Sequence, residues 1–474
     1  MRNFRKSTCS QALGRKEGQS YQGGPMTKGR KKNDSRGKGR KKKYEPMMEK
    51  ALCEVFEPDW LRKTAKKTGL IKRERKIDPV AMFWILIFGF GVELQRTLAS
   101  LKRKYDKETK TKLSDSSWYE RFSPELTLFL KECVVHGIEH LAKQKHRKLS
   151  EKLKDFEDVL IKDSTIIRLH EQLAKKWPAV RTRKVAAGVK VSLMVSAVAN
   201  SVKSVRLYGE RQAESKTLRI GPWIKDRILL IDLGFYKHQM FARIEENGGY
   251  FISRLKGTAD PLIVDVNSTC RGNSIDVVGK YISEVLPVLK RQILDVEVEV
   301  TLKRRKYKGK ERKDTARFRL VAIYNKDEKK YHVYLTNIPT ETLDSEDIAS
   351  LYGARWEIEL IFKELKSKYA LDKIKTTNPH IVAALIWVGI LTLLTSRIIY
   401  TIIRRLGEEK GIELVRFTQQ RWSTVFAENS RDNLRALLKY IDIEISLEDL
   451  YLVQMSHAMD PHVNRKRFTG EWWS

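Results

Sequence analysis

DVLIKDSTIIRL, residues 158–169, sets a charged Asp163 inside an otherwise apolar run of strand-forming residues. RILLIDLGF (227–235) repeats the arrangement, with Asp232 ending a run of Ile and Leu. Around these two, VKVSLMVSAVAN (189–200), SVRLYG (204–209) and YFISRLK (250–256) are short β-rich runs bounded by Gly, Asn and charged clusters. The pattern predicts a mixed α/β sheet from about residue 151. A carboxylate buried in such a strand is costly unless a partner, a set of hydrogen bonds or a metal ion neutralises it, or its pKa shifts. Either aspartate alone reads equally well as a strand-end cap or turn residue. The two together favour a site.

On the amino-terminal side the spacing turns helical. Met48, Ala51, Leu52 and Val55, the run PVAMFWILIFGFGV (79–92), then Leu98, Leu101 and Tyr105, and later Leu126, Phe129, Leu130 and Val134 predict an all-α domain over 46–150, a candidate DNA-binding domain for the helix pair it contains. Within it RTLASLKRKY (96–105) and LSDSSWYERF (113–122) read as two short helices, the second capped by Ser114 and carrying Ser116, Ser117, Tyr119 and Arg121. Such a pair suits helix-turn-helix docking in a major groove, and two ordinary amphipathic helices give the same pattern. Residues 1–45 hold 15 Lys and Arg against three acids and few large apolar side chains, the composition of a disordered basic tail; Met26 is an alternative start.

Toward the carboxyl terminus, 258–344 is β-rich and alternates in DVEVEVTLKRRKY, RFRLVAIY and YHVYLTNIP. It separates a first part of the sheet-bearing core, 151–257, from a second part, 345–410, which is followed by a helical region, 411–474. The second part contains SLYGARWEIELIFKELKSKY (350–369). At 100° per residue, Tyr352, Arg355, Glu359, Lys363 and Lys366 share an arc of about 80°, while Glu357 falls on another face. One acid among an Arg, two Lys and a Tyr hydroxyl suits a phosphate-facing surface with a single metal ligand; intrahelical ion pairs on a solvated face would place charges similarly.

Composition narrows the partner. The 474 residues carry 93 Lys and Arg against 59 Asp and Glu, a net charge of +34. Removing the tail's +12 still leaves +22, so a polyanion is expected whatever the tail does. The four cysteines, never closer than 44 residues, give neither a disulfide framework nor a zinc spacing. The polar, basic first 45 residues offer no secretion signal, and the uncharged runs 79–92 and 381–396 fall short of the ~18–20 residues that span hydrocarbon. A cytoplasmic, nucleoid-associated protein with no membrane partner is expected. No GxxxxGK[ST] or HExxH is present, so ATP-driven chemistry and zinc-peptidase chemistry lack support. Two aspartates from neighbouring strands and a glutamate from a distant helix are the ligand set for two hard divalent ions, Mg2+ or Mn2+, in phosphoryl transfer.

Asp163 in KDST, Asp232 in IDLGFY and the spaced set Tyr352, Arg355, Glu359 and Lys366 resemble the DDE transposases of prokaryotic insertion sequences, specifically the cut-and-paste group with a Tyr-Arg-Glu-Lys signature helix. The resemblance runs from about 78 to 400. It implies a ribonuclease-H-like mixed sheet with a β-rich insertion between the second Asp and the catalytic Glu, preceded by an all-α domain. It implies that Asp163, Asp232 and Glu359 hold two metal ions, that Tyr352, Arg355 and Lys366 grip DNA near the cleaved end, and that two protomers act on terminal inverted repeats and target DNA. Lys363 shares the same helical arc, and Arg181, Arg183 and Lys184 are candidates for tracking the DNA backbone. A non-catalytic DNA-binding descendant is the alternative. Family members can hold a flipped base on an aromatic, often a Trp, in the insertion. Residues 258–345 contain none, leaving Tyr307, Phe318, Tyr324, Tyr331 and Tyr334 as substitutes.

Overall fold

The computed structural model describes residues 46–73, 77–92, 97–109, 113–142, 148–180, 186–267, 275–307, 310–369, 371–439 and Met455. The basic segment 1–45, the cations Arg181, Arg183 and Lys184, and the side chain of Tyr307 lie outside the described residues.

The amino-terminal part is helical, as its spacing predicts: α1 (Met47–Val55), α2 (Pro58–Lys67), α3 (Pro79–Ile85), α4 (Leu98–Thr109), α5 (Asp115–Tyr119) and α6 (Pro124–Ala142). Local chemistry sets several starts. The Asp78 side chain accepts from the backbone N–H of Val80, and Pro79 occupies the first helical position, where no N–H is needed. Ser114 caps α5 by accepting from Ser117. The second member of the expected helix pair is therefore only five residues long, a little over one turn to lay in a groove. Trp118 buries it, and Arg121 donates to the Leu70 carbonyl at 3.0 Å. Ser116 and Tyr119 face solvent, while Ser117 is half-buried.

The sheet starts with β1 (Asp158–Leu169), β2 (Ala187–Ser196), β3 (Ser201–Gly209) and β4 (Arg227–Ile231), then α7 (His238–Glu246) and β5 (Tyr250–Arg254). β1–β2 and β2–β3 are antiparallel; β1–β4 and β4–β5 are parallel. The all-aliphatic interior of β4 follows from its place between two parallel neighbours, where both faces are covered. Next come β6 (Leu262–Val266), α8 (Ile282–Val285), β7 (Ile293–Tyr307), β8 (Lys310–Asn325) and β9 (Lys330–Thr336). These strands extend the same sheet, because β9 pairs antiparallel with β5, and the order is β3-β2-β1-β4-β5-β9-β8-β7-β6. Phe251 of β5 stacks on Phe241 at 4.3 Å and meets Phe318 of β8 edge-on at 5.3 Å, so one aromatic core runs beneath both halves.

A buried ion pair ties the inserted strands to the helices that succeed them. Arg319 on β8 meets Asp295 on β7 at 2.6 Å with both side chains 3% exposed, and it also donates to the carbonyls of Ile338 and Leu343. Ser345 donates to the same aspartate at 2.5 Å, at the first residue of α9 (Ser345–Gly353). Breaking such a pair on one side leaves a buried charge uncompensated, so the contact anchors the first turn of α9, whose start Asp344 sets by accepting from the Asp347 N–H. Then come α10 (Trp356–Ser367), α11 (Pro379–Glu409) and α12 (Gln419–Lys439). α11 is long and apolar enough to cross a membrane, yet 94% of its apolar window is buried inside the protein, against α1, α6 and α12. At its middle Arg397 pairs with Glu364 of α10 at 2.7 Å, and the Tyr369 hydroxyl donates to the same carboxylate at 2.7 Å. α11 is thus a central core helix that anchors α10.

Candidate active site

Register brings the two aspartates together. Lys162 of β1 pairs with Ile231 of β4, and Ile231 with Ser253 of β5. The residues that follow these last pairs are Asp163, Asp232 and Arg254, where the parallel ladder of β1, β4 and β5 ends part-way along β1. Asp163 is fixed by the Ser164 backbone N–H at 2.7 Å. Asp232 leads directly into the tight turn Leu233–Phe235, whose last N–H bonds to the Asp232 carbonyl at 3.0 Å.

The expected continuous helix over 350–369 is two helices. α9 stops at Gly353, and the chain turns at Ala354 and Arg355 through 3-10-type bonds, Arg355 N–H to the Tyr352 carbonyl and Ile358 N–H to the Arg355 carbonyl. That step drops the guanidinium of Arg355 onto Asp163 at 3.3 Å while its other arm holds Glu359 at 2.5 Å. Tyr352 is buried, donates its hydroxyl to the Ile231 carbonyl at 3.4 Å and packs on Tyr334 with ring centres 5.3 Å apart. Burial pushes the Tyr352 phenol up to about 12, so it remains a neutral donor. Lys366 lies farther along α10, within the fields of Arg168 and Asp372, and burial lowers its pKa. Lys363 is exposed.

Tyr352, Arg355, Glu359, Asp163 and Asp232 therefore converge, with Lys366 at the margin. Among the described residues no three of His, Cys, Asp and Glu approach closely enough to hold a metal ion as they stand. Between Asp163 and Glu359 stands a guanidinium instead. The donor set nevertheless suits a hard divalent cation, being oxygen-only and already organised around a positive charge. Of the aromatic residues proposed for a flipped base, Phe318 is core, Tyr334 is buried on Tyr352, and Tyr331 donates its hydroxyl to Leu289 and Arg291 carbonyls while packing on Tyr324. Two residues escaped the sequence reading. Arg254 ends β5 as Asp232 follows β4, a charge at the end of an apolar strand that the same rule could have found. Trp356, 53% exposed beside Arg355, looks in sequence like a core residue.

Burial raises the Asp163 carboxyl to about 6; Ser164 and Arg355 pull it down, and Asp232 and Glu214 push it further up. With the folded pKa above the unfolded one, the native state holds the proton more tightly. The group costs the fold nothing below about pH 4 and costs most above about pH 6. In divalent-free buffer Asp163→Asn is expected to be more stable than the natural chain at pH 8 by about 2–3 kcal/mol, the gap closing toward pH 4. Urea unfolding across that range measures it, and a gap independent of pH would contradict the assignment.

The model of the transposase DDE domain matches residues 154–395, just over half the chain, and spans Asp163, Asp232 and Glu359. The chain belongs to the DDE transposase family. This transposase is 24% identical over 404 residues to the transposase for insertion sequence element IS1151 of Clostridium perfringens, covering 78% of this chain and 85% of that one. To the transposase for IS231B of Bacillus thuringiensis subsp. berliner it is 24% identical over 445 residues, 83% and 89% of the two chains. Among solved structures, the piggyBac transposase synaptic complex with hairpin DNA is similar over 91% of this chain and 89% of that one, at 11% identity and a TM-score of 0.42. The transposase is of the insertion-sequence type, and its activity is DNA transposition.

Proposed function

We propose that this transposase binds the terminal inverted repeats of its own element, hydrolyses a phosphodiester at each end, and joins the freed 3′ hydroxyl to target DNA. The observation that carries the reading is the cation-centred cluster of Asp163, Arg355 and Glu359, with Asp232 on the adjoining strand. The strand order β3-β2-β1-β4-β5, antiparallel then parallel, supports a ribonuclease-H-like core extended by the insertion. Asp163, Asp232 and Glu359 would hold two Mg2+ or Mn2+ ions, which supply a hydroxide nucleophile at neutral pH and charge stabilisation for the leaving oxygen. Tyr352, buried with its hydroxyl donated to the Ile231 carbonyl, ties the end of α9 to β4 beside that cluster. Arg355 and Lys366 attract the phosphate that is cut, as the Tyr-Arg-Glu-Lys group would have them do. Trp356 offers an open π-face for a base beside that phosphate.

Two protomers, one per end, would act together in the cytoplasm on the host chromosome. The test is strand cleavage of a duplex bearing the element's terminal repeat, with Mg2+ or Mn2+ against EDTA. Metal-dependent nicking at the repeat boundary is expected. Specific binding without cutting under both metals would replace this reading with that of a DNA-binding descendant.

A further inference from the structure

Behind Asp163 sits a carboxylate that the two-ion reading leaves unused. Glu214 opens the short 3-10 turn Glu214–Lys216 after β3. Its Oε1 accepts from the hydroxyl of Ser164, the residue after Asp163. Its Oε2 lies against Gly234, two residues after Asp232, so closely that a methyl group there would overlap it. The loop is held from below by Lys190 of β2, which is buried, donates to the Gln212 carbonyl at 2.7 Å and stands 3.9 Å from Glu214. Strand alternation puts Ser164 on the face of β1 opposite Asp163. Glu214 therefore makes no direct contact with the site: it acts on it through the segments it touches and through its charge, which pushes the Asp163 carboxyl up.

We propose that Glu214 is a positioning residue for the two aspartates: it fixes the Asp163–Ser164 step of β1 and the Asp232–Gly234 turn after β4 at one separation, so that carboxylates from two strands converge on the same cations. The inference rests on the metal-dependent reading of Asp163, Asp232 and Glu359. The backbone ladder between β1 and β4 ends at Lys162 and Ile231, one residue short of both aspartates, while β1 remains paired with β2 beyond that point, so between β1 and the turn after β4 side-chain contacts take over from backbone pairing. Glu214 spans that gap. Outer partners of this kind orient the ligands that touch the metal, and their loss commonly weakens metal affinity by about 10–100-fold.

The test compares Glu214→Ala, Glu214→Gln and Gly234→Ala in the full chain, with Mn2+ alone as probe, read by the electron paramagnetic resonance signal of the free ion, and with end cleavage and thermal unfolding alongside. Both Glu214 variants remove the same charge near Lys190 and Lys162, so their melting temperatures should move together. Only the alanine loses the acceptor for Ser164. It should bind Mn2+ about 10–100-fold more weakly and cut correspondingly less, while the glutamine restores most of both. Gly234 has no positive φ, so its alanine is backbone-compatible; it keeps every charge, pushes Oε2 aside and should reproduce the loss. Mn2+ affinity unchanged in Glu214→Ala, or equal loss in alanine and glutamine, overturns the proposal. A natural chain that neither binds Mn2+ nor cuts removes the reading beneath it instead.

Discussion

Glu359→Gln is expected to abolish metal-dependent strand cleavage, by on the order of 10³-fold or more, while terminal-repeat binding changes little. Glutamine keeps the shape of the side chain and an oxygen that accepts from Arg355, so the turn at 354–355 should hold. What disappears is one negative charge of the three that would draw divalent ions to the strand ends. No cation is removed, so the phosphate attraction that governs affinity and its salt dependence stays. Asp232→Asn should behave alike, because Asp232 enters from the adjoining strand and its amide would again remove a charge while keeping the shape. Nicking and gel-shift assays on the same duplex separate the two effects. Cleavage at the natural rate in either variant would take that residue out of the site; parallel loss of binding and cutting would make it structural.

The aspartates were legible because a charge inside an aliphatic strand contradicts the solvent logic of its neighbours, and only a site or a cap resolves the contradiction. Glu359 was legible from a different signal, its helical phase with Arg355 and Lys366. That phase holds only along a uniform helix, and the 3-10 step at Ala354 and Arg355 interrupts it. No Pro or Gly at the step itself marks the interruption, since Gly353 is only the last residue of α9. The break nevertheless tightened the cluster. Glu214 was illegible because its role depends on pairing partners 50 residues upstream and 20 downstream, which local spacing cannot encode. The same holds for the junction of β5 with β9, which makes the insertion a continuation of the sheet. The helix pair at 96–122 was legible as two helices, and capping by Ser114 located the start of α5; its shortness, and the use of Trp118 and of the Arg121 bond to Leu70 for packing, were not.

Arg355→Ala should move metal binding and DNA processing in opposite directions. The guanidinium supplies one positive charge to Asp163 and Glu359, and its removal leaves two carboxylates facing each other with Asp232 alongside. Such a group takes up either a proton or a divalent cation. At pH 8, where Asp163 is ionised in the natural chain, Mn2+ should bind the DNA-free variant more tightly, by roughly tenfold for about 1.4 kcal/mol of relieved competition. As pH falls protons compete and the gain should shrink, starting at a higher pH than the value of about 6 that holds for Asp163 in the natural chain, because Arg355 no longer pulls that carboxyl down. Cleavage should nevertheless fall, and the salt slope of end binding should become shallower by about one, because the phosphate loses a contact. Arg355→Lys distinguishes charge from reach: it keeps the cation but cannot span two carboxylates, so it should restore the salt slope without fully restoring the competition with Mn2+. Unchanged Mn2+ affinity in the alanine would mean that Arg355 does not occupy the cation position, and an unchanged salt slope would mean that it does not meet DNA. Both changes together would describe an arginine that holds the carboxylates in the free protein and exchanges them for phosphate when an end arrives.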